Sequence, residues 1–230
     1  MTEASPSPLF ARLFAVYAGW TVRRHFRAVY VRGNLPDTRS PLLVCVHHAG
    51  WWDPILLFHL SRRRFPGRHF TVMDEANLRR YRFFRKLGAF GIDRASPGGP
   101  LASLRYALAR LSEPASRVWI FPQGAIAPVD RRPLEVDPGA TWLAARARVP
   151  VVAVAIRYEF REDQLPEAFV SFSSVSLVRG ERTPSDADPV LELLTAEADS
   201  LRDAVWSGSL EGFDRVVSGR RSISELYHSN

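Results

Sequence analysis

The stretch of sequence that decides the fold is LLVCVHHAGWWDPILLF, residues 42–58. Its first five residues are apolar and predict a buried strand that ends at a polar turn. Asp53 and Pro54 then precede a second apolar run, which is typical of a helix with Asp at its N-cap and Pro at its first position. We therefore predict a strand, a loop and a helix, with His48 and Asp53 on opposite sides of the loop.

Apolar runs alternate with helical patterns along the rest of the chain. The predicted strands cover residues 42–46, 70–73, 118–121, 151–156 and 169–178, and the predicted helices cover 54–63, 76–86, 100–112, 138–147, 189–206 and 210–217. Such alternation predicts a single α/β domain with a mixed sheet flanked by helices. We expect three parts: an N-terminal membrane-interfacial segment at 1–35, an α/β core at 36–183, and C-terminal helices packed on the core at 184–230.

The amino-acid composition limits the chemistry and the partners that this chain can have. The 230 residues, 46% of them hydrophobic, suffice for one globular core. The single cysteine, Cys45, lies in an apolar run, which excludes an internal disulfide and favours a buried packing residue. A net charge of +7 indicates an anionic partner such as nucleic acid, a phospholipid surface or a phosphorylated ligand. No ribonucleoprotein, zinc-finger or helix-turn-helix pattern is present, so we do not predict nucleic acid as a partner.

His48 and Asp53 have the spacing H-x-x-x-x-D. Residues five apart in a continuous helix point about 140° away from each other, so only an intervening turn lets imidazole and carboxylate meet. A carboxylate bonded to one imidazole nitrogen fixes the tautomer and stabilises the imidazolium that forms when the other nitrogen takes a proton. This pair is a candidate general base and its orienting acid. Asp-Pro also occurs at 137–138 and 188–189, so a simple helix start is the alternative.

The N-terminal run, residues 9–22, is apolar except for Arg12, Gly19 and Thr21, and arginines follow it at 23, 24 and 27. The run is too short to span a bilayer as a helix, and no basic start or convincing cleavage site marks it as a secretory signal. We therefore expect an interfacial helix whose apolar side chains enter the lipid while the arginines meet lipid phosphates. The alternative is a soluble helix that covers an edge of the core.

Two further loops follow strand-like segments. One is Gly88–Arg94, which ends with an arginine able to hold an anionic headgroup, and the other is Phe121–Gly124, whose Pro and Gly force a turn that exposes the Gln123 amide. Because ligands gather outside the carboxyl ends of strands in open α/β sheets, these loops and the His48 loop can form one cleft. Taken singly, Gly88 and Gly91 are better explained as turn residues, Arg94 as part of a surface ion pair, and Gln123 as a polar residue that fills a turn.

Together and in this order, the blocks resemble the lysophospholipid/glycerolipid acyltransferase family, which includes bacterial 1-acylglycerol-3-phosphate acyltransferases. The resemblance covers about residues 40–160 and rests on the blocks 48–53, 88–94, 121–124 and 149–154. It implies a glycerolipid acyltransferase-like fold and a role in phospholipid biosynthesis. It also implies transfer of an acyl group from acyl-CoA or acyl carrier protein to a lipid hydroxyl, on the cytoplasmic face of the cell membrane.

The resemblance also implies roles for individual residues. His48 corresponds to the general base and Asp53 to the residue that orients it, with no covalent acyl-enzyme. Acceptor headgroup positions match Gly88, Arg94, Gln123 and Gly124. No metal or other cofactor is implied; the expected partners are the acyl donor, a lipid acceptor and the membrane surface.

The third block departs from the family pattern. Members that use glycerol-phosphate acceptors usually read Phe-Pro-Glu-Gly-Thr-Arg-Ser, whereas this chain reads Phe-Pro-Gln-Gly-Ala-Ile-Ala at 121–127. Gln123 lacks the charge of a carboxylate, and Ile126 stands where an arginine would grip phosphate. Arg131 and Arg132 are candidates to compensate. Acceptors other than lysophosphatidate, including lysolipids with another headgroup and hydroxyls of glycolipids or carotenoid glycosides, therefore fit the sequence equally well.

Three other functions are compatible with the sequence. The His48–Asp53 pair can activate water in a thioesterase or esterase. His47, His48 and Asp53 can ligate a metal, although adjacent histidines often point to opposite sides of the chain. Finally, the chain can be a non-catalytic peripheral protein whose cleft holds lipid.

Overall fold

The computed structural model describes residues 1–36, 39–177 and 188–220. Its α-helices are α1 (Pro8–His25), α2 (Asp53–Arg64), α3 (Glu75–Arg80), α4 (Gly99–Leu111), α5 (Gly139–Ala147) and α6 (Pro189–Trp206), and a 3₁₀ helix covers Arg82–Leu87. Its strands are β1 (Ala28–Arg32), β2 (Leu42–Val46), β3 (Arg68–Asp74), β4 (Ala89–Ile92), β5 (Ser116–Ile120), β6 (Pro150–Glu159), β7 (Glu167–Phe172), β8 (Ser176–Leu177) and β9 (Phe213–Ser218).

The strands form one mixed sheet, as the sequence predicts. Over the described residues its order is β4-β3-β5-β2-β6-β7-β1-β9, and the short β8 also pairs with β6. The five strands from β4 to β6 are parallel, β7 runs antiparallel to β6, β1 is parallel to β7, and β9 is antiparallel to β1. The carboxyl ends of β4, β3, β5 and β2 therefore meet at one edge of the sheet.

Successive side chains of a strand point to opposite faces of the sheet, and here both sets are buried under helices. From β2, Leu42, Val44 and Val46 join a core cluster with α1 and α2, whereas Leu43 and Cys45 join a cluster with α4 and α5. A third cluster lies under α6. Burial raises the pKa of the Cys45 thiol to about 12, so this cysteine is the inert packing residue that its position predicts.

The predicted helix at 210–217 is wrong, because this segment forms β9. Apolar residues at 213, 216 and 217 fit a helical or an extended period equally well over so short a stretch. The free edge of β1 decides between them, since β9 pairs along it. Strand β1 itself lies inside the segment 1–35, which the sequence assigns to the membrane, and β4 lies inside the predicted loop 88–94. The predicted boundary at 183/184 lies outside the described residues.

Helix α1 occupies most of the predicted interfacial segment. Ser7 caps it by accepting a hydrogen bond from the Phe10 amide, Pro8 begins it, and basic residues fill its last turn. Its inner face packs on α2, where the Phe14 and Phe58 rings lie 5.1 Å apart. Within the described residues, no helix combines the length and apolarity needed to cross a bilayer.

Candidate active site

The candidate site lies at the edge where the parallel strands end. His48 follows β2, Arg94 follows β4 and Gln123 follows β5, so the three loops approach one another as the sequence predicts. One hydrogen bond joins two of these loops directly, because the backbone N–H of His48 donates to Gln123 Oε1 at 2.6 Å.

His48 and Asp53 are bonded across the tight turn between β2 and α2. The distance from His48 Nδ1 to Asp53 Oδ2 is 2.7 Å, and the same carboxylate oxygen accepts the N–H of Gly50 at 2.9 Å. Asp53 is the first residue of α2 and Trp52 is its N-cap, so the N-cap assignment predicted for Asp53 is wrong. Its carboxylate turns back to hold the loop, and the positive end of the helix dipole favours its negative charge.

Tyr158 supplies a third hydrogen bond to Asp53, which the sequence does not predict. Its hydroxyl donates to Asp53 Oδ1 at 2.6 Å, and the Asp53 side chain has no exposed surface. Burial, and then the charge of Asp53, raise the pKa of Tyr158 well above its usual range, so the phenol keeps its proton and remains a donor. The carboxylate is therefore fixed by His48, Gly50 and Tyr158 together.

Strand β6 brings Tyr158 to the site. Val46, the last residue of β2, pairs with Val154, so the second half of β6 extends beyond the end of β2 and alongside the loop that carries His48. Gly50 packs closely on the Tyr158 ring, which a Cβ on Gly50 would approach to 3.3 Å. The available sequence signal is a strand-forming Tyr two residues after the end of the predicted strand at residue 156.

The bond to Asp53 fixes the tautomer of a neutral His48 ring. A carboxylate only accepts, so Nδ1 carries the proton and Nε2 presents a lone pair. The side chain is 18% exposed, and the Phe121 ring lies 4.4 Å from the imidazole, which limits the directions from which a substrate can approach. This arrangement can remove a proton from a hydroxyl. In contrast, burial and then the charge of Arg132 lower the pKa of neighbouring His47 to about 4.

Gln123 has a structural role that its sequence context does not show. Because the His48 backbone group is a donor, the amide oxygen of Gln123 must face it, and the NH₂ group must point elsewhere. The side chain thus fixes the loop that carries His48. A glutamate in the same place could accept the same bond, so the loops can close with either residue.

Arg94 and Gly124 are adjacent at the rim of the site. Gly124 has φ +72°, and a Cβ built on it would lie 2.1–2.6 Å from guanidinium atoms of Arg94. Glycine therefore lets the guanidinium lie against the backbone of the third block. Arg94 also donates to Asp137 Oδ2 at 2.6 Å, and its side chain remains 46% exposed. Both residues lie at the rim of the site, and their contact with an acceptor headgroup stays a prediction.

The structure does not bring Gly88 to the site. Gly88 precedes β4 at the opposite edge of the sheet and ends the 3₁₀ helix with φ 102°. A Cβ there would lie 2.2 Å from the His69 carbonyl oxygen, so a turn and a close approach of backbone account for this glycine.

The arginines proposed to compensate for Ile126 are engaged elsewhere. Arg131 pairs with Glu135, and Arg132 bonds to Asp199 on α6. Ile126 itself is an exposed apolar side chain. Over the described residues, no group of three or more His, Cys, Asp or Glu side chains is arranged to hold a metal ion.

A family model described as Acyltransferase matches residues 27–157, more than half of the chain. No curated protein matches the chain at a significant level. The matched region begins just before β1 and ends at the residue before Tyr158, so it contains the His48–Asp53 pair and the Arg94 and Gln123 loops. The chain therefore belongs to the acyltransferase family, the 1-acylglycerol-3-phosphate acyltransferase-like group, and is an enzyme that transfers acyl groups.

Proposed function

We propose that the enzyme moves a fatty acyl group from the thioester of acyl-CoA or acyl carrier protein to a hydroxyl of a lysolipid or glycerolipid-type acceptor. The observation that carries this proposal is the 2.7 Å bond between His48 Nδ1 and Asp53, which leaves Nε2 as a base at the cleft. A phosphopantetheine thioester needs no further activation by a protein nucleophile, since the acceptor oxygen itself attacks.

The proposed reaction has two proton transfers. Nε2 of His48 takes the proton of the acceptor hydroxyl while the oxygen forms a bond to the thioester carbonyl carbon. The carbon–sulfur bond then breaks, and the leaving thiolate takes the proton back from the imidazolium. Asp53 stabilises the imidazolium in between, held for this purpose by Gly50 and Tyr158.

The first experiment follows labelled acyl-CoA and acyl carrier protein thioester in mixed micelles with lysophosphatidate, other lysophospholipids, a monoacylglycerol or a glycolipid. General-base catalysis contributes ~10²–10⁴ in rate, so His48→Ala should lower transfer by at least about that factor. Circular dichroism confirms that the variant is folded. A folded His48→Ala protein with full activity would refute the role of His48, and label that appears only as free acid would favour a hydrolase.

We propose that the acceptor has no phosphate group in contact with the position that Ile126 occupies. A guanidinium would bind phosphate there through a forked, charge-assisted contact, whereas the exposed Ile126 offers only apolar surface. Among the described residues, Arg94 places a cation at the rim, and its bond to Asp137 already uses part of its donor capacity. We therefore favour an acceptor whose headgroup is held mainly by hydrogen bonds.

A double variant, Gln123→Glu with Ile126→Arg, tests this choice. We expect the preference to move toward lysophosphatidate, measured as the ratio of kcat/KM for lysophosphatidate and for the best wild-type acceptor. Val175→Arg is the control for the added arginine, since it places the same side chain at an exposed apolar position just after β7, at the opposite edge of the sheet. An unchanged ratio in the double variant would contradict the assignment of the rim.

We also propose that the protein works at the cytoplasmic face of the cell membrane, attached through α1. Four apolar side chains one or two turns apart form one outward stripe on this helix, the α1 stripe: Leu9, Leu13, Val16 and Trp20, exposed by 69%, 64%, 74% and 57%. Burying such a side chain contributes ~1.5–3 kcal/mol. The Trp51 ring in the catalytic loop is also exposed, so lipid can meet helix and loop together.

A further inference from the structure

An open groove lies at the C-terminal end of α1, where the chain leaves β9. It has a volume of about 410 Å³ and is lined by Trp20, Arg23 and Arg24 of α1 and by Ser218, Gly219 and Arg220. Three arginines from two distant parts of the sequence therefore face one space, and none of the described residues that line it is acidic.

Among the residues that the structure describes, no carboxylate neutralises the positive charge of this groove. Within the described residues, Arg24 and Arg220 form no ion pair, and Arg23 donates to the carbonyl of Gly19. By comparison, Arg27 pairs with Asp163 on the β6–β7 connection. Only two of the three arginines predicted to meet lipid, Arg23 and Arg24, therefore belong to the groove, and Arg220 joins them.

Within the part of the chain that the structure describes, the guanidinium groups of Arg24 and Arg220 do not bond to the carbonyls at the end of α1. A helix C-terminus favours cations because its last carbonyls lack partners. Here the carbonyl of Val22 accepts from the Phe26 amide, that of Thr21 accepts from His25 Nδ1, and that of Arg23 accepts from the Arg220 amide at 2.9 Å. The guanidinium groups of Arg24 and Arg220 are thus available to a ligand.

The groove is built by a tight crossing of two backbones. The Gly219 amide donates to the Arg27 carbonyl at 2.9 Å, next to the bond from Arg220 to Arg23. A Cβ on Gly219 would lie 1.6 Å from the carbonyl oxygen of Phe26, so only glycine permits this approach. The crossing fixes Arg220 beside α1 before any ligand arrives.

The groove continues the α1 stripe. Trp20 is the last residue of the stripe and also lines the groove, and the guanidinium of Arg24 lies 5.6 Å from the centre of its ring. An indole at the boundary between apolar and charged surface is typical of membrane interfaces. A lipid whose chains lie along the stripe would place its phosphate among the arginines.

We propose that this groove binds the phosphate of an anionic phospholipid, at a place separate from the catalytic cleft. The inference rests on the proposed attachment of α1 to the membrane and names the lipid class that α1 meets. The Trp52 ring lies 5.0 Å from the His25 ring, so the end of α1 is connected to the loop that carries His48. Binding of a phospholipid here would orient the catalytic loop toward the bilayer surface.

Vesicle sedimentation tests the proposal, with vesicles of phosphatidylcholine alone and of equal parts phosphatidylcholine and phosphatidylglycerol. We expect Arg24→Gln/Arg220→Gln to weaken binding to the anionic vesicles by roughly 10- to 30-fold. Arg105→Gln/Arg146→Gln is the matched control, because it removes the same charge from exposed positions of α4 and α5 on the other face of the sheet. Arg24→Lys/Arg220→Lys keeps the charge and should retain most of the binding.

The outcomes distinguish a failure of the groove as a phospholipid site from a failure of the proposed acyl transfer. Equal losses in the groove and control variants, or no loss in either, would overturn the groove as a specific site. If the wild type bound neither vesicle, attachment through α1 would fail and the groove with it. Acyl transfer by the wild type in micelles is measured in parallel, and its absence would refute the proposed reaction without affecting the vesicle result.

Discussion

Replacing Tyr158 with phenylalanine removes one hydroxyl from the interior and leaves the ring in place. In the wild type this hydroxyl donates to Asp53 Oδ1 at 2.6 Å, and Asp53 is fully buried. A hydrogen bond to a charged group contributes about 1.5–3 kcal/mol. A factor of ten in rate corresponds to about 1.4 kcal/mol. We therefore expect kcat to fall by roughly 10- to 100-fold, because the carboxylate that orients His48 loses one of its three anchors.

The assay measures kcat and KM in mixed micelles, together with the free energy of unfolding in urea. KM should change little, since the lost bond lies behind His48 and not in the cleft. Tyr30→Phe is the matched control: it removes a hydroxyl that bonds to Glu167 elsewhere in the sheet, and kcat should be unaffected. A Tyr158→Phe protein with kcat within about twofold of wild type and lowered stability would show that the phenol supports the fold without positioning the catalytic pair.

Three further predictions concern the site and the core. Asp53→Asn should lower kcat by about 10² or more, because a neutral amide does not stabilise an imidazolium as a carboxylate does and keeps only one of the two oxygens that accept hydrogen bonds. Asp214→Asn, at an exposed position, should leave kcat unchanged. Gly124→Ala should cost roughly 1–3 kcal/mol of stability through its left-handed backbone and raise the acceptor KM by displacing Arg94; a crystal structure with Arg94 in place would contradict this. Burial lowers the pKa of His69 to about 4, as it does for His47 and His59. The unfolded chain therefore binds these protons first, and stability should decline as pH falls from about 6.5 toward 4. Urea titrations across this range measure the decline, and His69→Gln should make it shallower by removing the contribution of one of the three histidines.

The parallel half of the fold could be predicted because its signals are local. Each of β2, β5 and β6 is an apolar run long enough to fill a buried strand, and each adjoins a helix with its own amphipathic pattern. The edge of the sheet gives no such signal. Strand β9 is stabilised by backbone pairing with the free edge of β1. Strand β1 in turn pairs with β7, more than a hundred residues later in the chain. No local window contains that information.

The candidate site also has one part that local sequence predicts and one part that it does not. His48 and Asp53 are five residues apart, so the turn that joins them can be inferred from the residues between. Tyr158 is 105 residues from Asp53, and its contact depends on how far β6 extends beyond the end of β2. No pattern within the segment around His48 indicates it.

Gly88 and Gly124 illustrate a distinction that depends on sheet topology and cannot be made from sequence. Gly88 and Gly124 both have positive φ and both occupy blocks that resemble headgroup-binding positions. In a parallel sheet, a loop that precedes a strand and a loop that follows one lie at opposite edges. Gly88 precedes β4 and accommodates a backbone carbonyl, whereas Gly124 follows β5 and accommodates the guanidinium of Arg94. The same residue type thus serves the turn in one place and the site in the other, and only the position of β4, which the sequence had not predicted as a strand, distinguishes them.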